Sequence, residues 1–114
     1  MLELREVNLE LGMPTVQTAL SQLTLELRRT RSMGCTALKI IHGYGSTGAG
    51  GRIRVEARGC LERMKRRGEI ADFIPGEDFS IFHPATLAAF RRCGALRKDP
   101  DLERHNNGVT IVLL

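Results

Sequence analysis

The stretch Ile41-His42-Gly43-Tyr44-Gly45-Ser46-Thr47-Gly48-Ala49-Gly50-Gly51-Arg52-Ile53-Arg54 decides how this chain is read. Before it, Ala37-Leu38-Lys39-Ile40-Ile41-His42 is an apolar run with the length and composition of a buried strand. After it, Ile53, Ala57, Cys60, Leu61 and Met64 recur on one face of a helix running from about Arg52 to Arg67, closed by Gly68. Five glycines fill the nine positions from Gly43 to Gly51. A glycine-rich turn between strand and helix presents unhindered backbone N–H groups, and the helix dipole adds positive potential. Arg52 and Arg54, in the first helical turn, complete an anion site, and Arg58 and Lys65 lie in a stripe beside the apolar face.

Two familiar phosphate motifs are tested by this stretch. The Walker pattern needs Gly-Lys-Ser/Thr, and no Lys occurs between Lys39 and Lys65, so it fails. Gly43-x-Gly45-x-x-Gly48 fits the dinucleotide spacing, with Glu69 or Asp72 about twenty residues on, and keeps nucleotide binding open as an alternative.

Upstream, Leu2 to Leu11 alternates apolar and polar residues, which predicts a first strand over roughly its second half. Pro14 suits the first turn of a helix whose face carries Val16, Leu20, Leu23 and Leu27, and Gly34 stops it. Downstream, a third strand falls near Glu69–Ile74, a short strand at Phe79–Phe82 and a short helix at Pro84–Arg92. Val109–Leu114 then closes the sheet. The order β-α-β-α-β-(insert)-β describes a two-layer α/β domain with helices on one or both sheet faces.

The 114 residues suggest one domain, 1–114, and the 42% hydrophobic and 26% charged fractions are those of a globular protein. No apolar run reaches bilayer length and the N-terminus shows no secretory pattern, so a membrane partner is not expected. Cys35, Cys60 and Cys93 are odd in number and widely spaced, which suits a reducing cytoplasm and supports neither a disulfide framework nor a zinc ribbon. His42, His83 and His105 are equally scattered, and no metal site is assigned.

Charge is more informative. From Arg28 to Arg67 eleven basic residues face only Glu56 and Glu62, inside a chain whose formal net charge is +4. Fourteen of the seventeen cations are Arg, whose planar fork suits phosphate. A polyanion-binding surface and a merely solvated helix face are both consistent with this pattern.

At this point the residues resemble the Smr (small MutS-related) domain family, which occurs as a stand-alone bacterial protein and as the C-terminal domain of a MutS paralogue. The family's His-Gly-x-Gly stands here as His42-Gly43-Tyr44-Gly45, and its Gly-x-Leu-Arg is similar to Gly51-Arg52-Ile53-Arg54. Leu61, Ile70-x-x-Phe73 and Gly108-Val109-Thr110-Ile111-Val112 resemble the motifs that follow. Two departures stand out. The family's Leu-Asp-x-His-Gly has its acid replaced by Asn8 and its His by Glu10, and an insert of about 77–107 precedes the last strand.

The resemblance implies a βαβαββ two-layer sandwich similar to the C-terminal domain of translation initiation factor three. It also implies nucleic-acid binding, with nicking endonuclease activity on branched or structured DNA or RNA in some members. The nucleic-acid-binding set is then Gly43, Gly45, Gly48, Arg52, Arg54, Arg58 and Lys65, with His42 and Glu10 as catalytic candidates. His42 at the strand end suits general acid–base work or a structural hydrogen bond that fixes the glycine turn. Glu10 can act as a base if, sharing a strand face with Asn8, it points at the loop. Cofactors are none for binding, with a divalent metal in the case of a nuclease. A binding-only module, or a protein-interaction module acting through the insert, is the alternative, and oligomeric state stays open.

Overall fold

The computed structural model describes residues 3–12, 14–43 and 50–114. Four strands, β1 (Leu4–Asn8), β2 (Ala37–Ile41), β3 (Asp72–Pro75) and β4 (Val109–Leu113), form one sheet in the order β1-β2-β4-β3. β1 and β2 run parallel, with Leu4 opposite Ala37 and Asn8 opposite Ile41. β4 is antiparallel to both β2 and β3. A parallel pair needs a crossover, which helix α1 (Val16–Ser32) supplies, while α2 (Gly50–Arg66) carries the chain from β2 towards β3.

Strand alternation sorts two cores. Leu38, Ile40 and Val112 point to one face and pack against Ala19, Leu23 and Leu27 of α1 and Ile53, Ala57 and Leu61 of α2. Ala37, Ile74, Ile111 and Leu113 point to the other. There the inserted segment packs Phe79, Phe90, Cys93 and Leu96 against them, with helix α3 (Pro84–Arg92) flanked by short 3-10 turns at Gly76–Asp78 and Gly94–Lys98. The two-layer arrangement of sheet and α1/α2 thus acquires a third layer from the insert, and helices cover both faces.

The insert is fastened by charge as well as packing. Lys39 lies on the insert side of β2, only 2% exposed, with its ammonium 2.9 Å from Asp99 and also paired to Asp101. Burial pulls its pKa down, but the two aspartates outweigh burial and raise it. At the insert's entry Gly76 is buried, and a Cβ there would collide with the Asn106 and Val109 carbonyls.

Four expectations are corrected. The first strand occupies Leu4–Asn8 rather than the later half of its segment, because Asn8 Oδ1 accepts the Glu10 N–H at 2.8 Å and turns the chain. Pro14 lies outside α1, since Thr15 is the N-cap and its hydroxyl accepts the Thr18 N–H at 3.1 Å. β3 starts only at Asp72, because the Glu69 N–H still bonds the Met64 carbonyl in the helix stop, at 2.8 Å. The strand at Phe79–Phe82 does not form. The Phe79 N–H closes the 3-10 turn on the Gly76 carbonyl at 3.2 Å, and the chain turns straight into α3.

Candidate functional site

The end of β2 is pinned before the glycine-rich segment begins. The N–H groups of His42 and Gly43 both donate to the Gly108 carbonyl, at 3.0 Å each. The His42 ring is fully buried and uses both nitrogens, Nδ1 lying 2.7 Å from the Gly43 carbonyl and Nε2 2.8 Å from Thr110 Oγ1. A carbonyl can only accept, so Nδ1 carries the proton and Nε2 of the neutral ring accepts from the Thr110 hydroxyl. That hydroxyl in turn accepts from Arg58 Nε at 3.1 Å. One polarised chain therefore runs from Arg58 through Thr110 and His42 to Gly43. Burial, reinforced by the Arg58 and Arg54 charges, lowers the His42 pKa to about 4. The ring is enclosed, and both its nitrogens are engaged within the protein.

Glu10 reaches the same place from the turn after β1. The Asn8 side chain holds its amide at 2.8 Å, and its carboxylate lies directly over Gly43, where a Cβ would collide with it. Gly43 also has φ +73°, which disfavours any side chain there, while the exposed Glu10 carboxylate could swing aside. Asn8 and Glu10 do not share a strand face, because Glu10 is beyond the strand, but the carboxylate does face the start of the loop.

The expected basic stripe separates into two kinds of residue. Arg52 is exposed and Arg54 half-buried at the start of α2, and the Arg54 charge acts on both His42 and Glu77. Arg58 is committed internally. It makes a bidentate pair with Glu77 at 2.7 and 2.8 Å and also bonds the Val109 carbonyl at 3.2 Å. Lys65 pairs with Asp72 at 3.0 Å. The acids that neutralise these cations lie outside the 28–67 stretch, so local charge counting overstated the free charge. Gly45 and Gly48 lie outside the described residues.

Two members of the network were missed from sequence. Glu77 carries no motif. Thr110 did leave a signal, as the lone polar residue in the run Val109-Thr110-Ile111-Val112-Leu113, where a buried hydroxyl demands a partner. Among the described residues no three His, Cys, Asp or Glu side chains converge as metal ligands, and no helix is long and apolar enough to cross a membrane.

These features define an α/β domain whose strand–glycine–helix junction is braced from beneath by a buried His–Thr–Arg chain. No protein-family model matches the chain. Endonuclease MutS2 of Thermus thermophilus is 36% identical over 89 residues, which is 78% of this chain and 11% of that protein. The crystal structure of the Smr domain of Thermus thermophilus MutS2 superimposes with a TM-score of 0.59 at 26% identity, covering 96% of each chain. The chain belongs to the Smr domain family. It spans 11% of the length of the curated relative it matches.

Proposed function

We propose that this Smr domain binds structured or branched DNA or RNA, holding backbone phosphate at the junction 43–51 with Arg52 and Arg54. The observation that carries the reading is the junction itself. Gly43 has a left-handed conformation at the end of β2, α2 begins at Gly50, and Arg52 is exposed in its first turn. His42, Thr110, Arg58 and Glu77 act as positioning residues that hold this end of the sheet. Arg58 and Lys65 contribute no free charge to the contact, being paired to Glu77 and Asp72.

A second reading, phosphodiester cleavage, is favoured by one observation: the Glu10 carboxylate is placed against Gly43, where bound phosphate would lie. Glu10 is then the base that activates water, and His42 orients the loop without exchanging a proton. The relative named an endonuclease supports the same chemistry, although this chain corresponds to only 11% of it.

Binding of a labelled branched duplex and a structured RNA across a salt titration tests the first reading, comparing wild type with Arg54→Ala and Arg52→Ala. Each variant is expected to lower the log–log salt slope by about one unit. Unchanged slopes in both variants would remove phosphate from the junction. Cleavage that survives Glu10→Gln undiminished would end the second reading.

A further inference from the structure

The opposite end of the domain carries a feature that the junction does not explain. A cavity of about 610 Å³ opens where the C-terminal ends of α1 and α2 meet the approach to β3. Leu27, Met64, Ile70 and Leu114 give it an apolar wall. Its rim carries Arg28 and Arg31 from α1 and Arg92 from the insert's helix α3, so all three layers contribute to it. Arg28 and Arg92 are exposed and make no ion pair among the described residues. Arg31 is braced by donating to the Glu69 carbonyl at 2.5 Å. The one acid on the lining, Glu69, has its carboxylate occupied by Arg67 Nε at 2.8 Å. Three arginines therefore line one opening whose only acid, Glu69, is paired with Arg67, and guanidinium groups suit oxyanions.

The position of this cavity decides which oxyanion. α2 begins at the glycine-rich junction and ends at the cavity, and its 17 residues span about 25 Å. A B-form duplex rises about 3.4 Å along its axis per base pair, so about seven to eight base pairs bridge the two ends.

We propose that Arg28, Arg31 and Arg92 form a second phosphate site, which takes a backbone phosphate of the same nucleic acid whose other contact is at the junction 43–51. This rests on the nucleic-acid reading above and deepens it by fixing a minimum footprint. The same phosphate chemistry could also be met by a free nucleotide, and the test separates the two sources.

Wild type and an Arg28→Gln/Arg92→Gln double variant are compared by fluorescence anisotropy on duplexes of about 6 and about 16 base pairs, in DNA and RNA forms, across a salt titration. Both arginines are exposed and unpaired, so the variant is expected to fold, and circular dichroism checks this. The longer duplex is expected to bind the variant about tenfold more weakly at 0.1 M salt, with a slope lower by one to two units. The shorter duplex, which cannot bridge the two ends, is expected to lose less affinity in the variant than the longer one. Equal binding and equal slopes on the longer duplex would overturn the proposal. Adenosine monophosphate is titrated in parallel by NMR. If it binds wild type and not the variant while the duplex results are equal, the site serves a free nucleotide and the backbone assignment is wrong. If wild type binds no duplex or RNA at all, the nucleic-acid reading itself fails, independently of what the nucleotide does.

Discussion

Lowering the pH tests the proton assignment at the centre of the site. His42 is fully buried, and its folded-state pKa is about 4, against about 6.5 in an unfolded chain. The folded state therefore keeps the ring neutral, while the unfolded state takes up a proton once the pH drops below about 6.5. The neutral ring's stabilisation is complete above that value and is lost as the pH falls towards 4. A difference of two to three pKa units corresponds to about 3 kcal/mol over the full window, of which about 2 kcal/mol is gone at pH 5. The carboxylates act lower down. Glu77 and Asp101 are raised by burial but held net low by their bonds to Arg58 and to Asn106 and Lys39, so their contributions are lost only below the ordinary carboxylate range. The interval from pH 7.5 to 5 thus isolates the histidine. Urea unfolding followed by circular dichroism, on wild type and His42→Gln, reads it directly. The wild type is expected to lose about 2 kcal/mol more than the variant across that interval, the variant starting lower at neutral pH. Parallel losses in the two proteins would refute the neutral-ring assignment and with it the Arg58–Thr110–His42 chain.

Three further outcomes follow from the same contacts. Thr110→Val keeps the shape but strands His42 Nε2 and Arg58 Nε, and is expected to cost about 2–4 kcal/mol, whereas Thr110→Ser costs less than about 1.5, both read by urea midpoints. Gly43→Ala must adopt φ +73° and displace the Glu10 carboxylate, and is expected to cost about 1–2 kcal/mol; pairing it with Glu10→Ala should recover the clash but not the backbone strain. Lys39→Met leaves Asp99 buried without its partner and is expected to destabilise by about 3 kcal/mol or more, with much of this recovered when Asp99→Asn and Asp101→Asn are added in the same thermal melts.

Elements whose identity is set by local pattern were legible from the sequence. α3 begins at Pro84 and ends at Arg92, as its flanking Pro and Gly imply, and the buried run at Ala37 is a strand at the centre of the sheet. What was not legible depends on which of several competing hydrogen bonds the chain makes. Asn8 ends β1 by bonding a neighbour's amide instead of continuing the alternation, and Phe79–Phe82 has strand composition but is taken up by the 3-10 turn that Phe79 closes on Gly76. The site divides in the same way. The glycine-rich stretch and its arginines are contiguous, so the sequence shows them as a motif. The commitment of Arg58 to Glu77, of Lys65 to Asp72 and of Lys39 to Asp99 depends on acids supplied from outside the basic stretch, and a count along the chain cannot see it. For His42 a sequence shows the residue but not the enclosure around it.

The third layer has a consequence for anyone wishing to trim this domain to a minimal scaffold. Residues 76–107 look like an appendage between two strands, yet excising them would remove three dissimilar supports at once. The sheet would lose the cover that Phe79, Phe90 and Leu96 give it, Lys39 would lose Asp99 and Asp101 and keep only Glu6 at 3.7 Å, and Arg58 would lose the carboxylate that aims it at Thr110. A shortened version would need polar outward positions on β2, β3 and β4, among which Lys39 already qualifies, and a new acid for Arg58. A loop graft alone would expose the sheet and slacken the junction on its far side together.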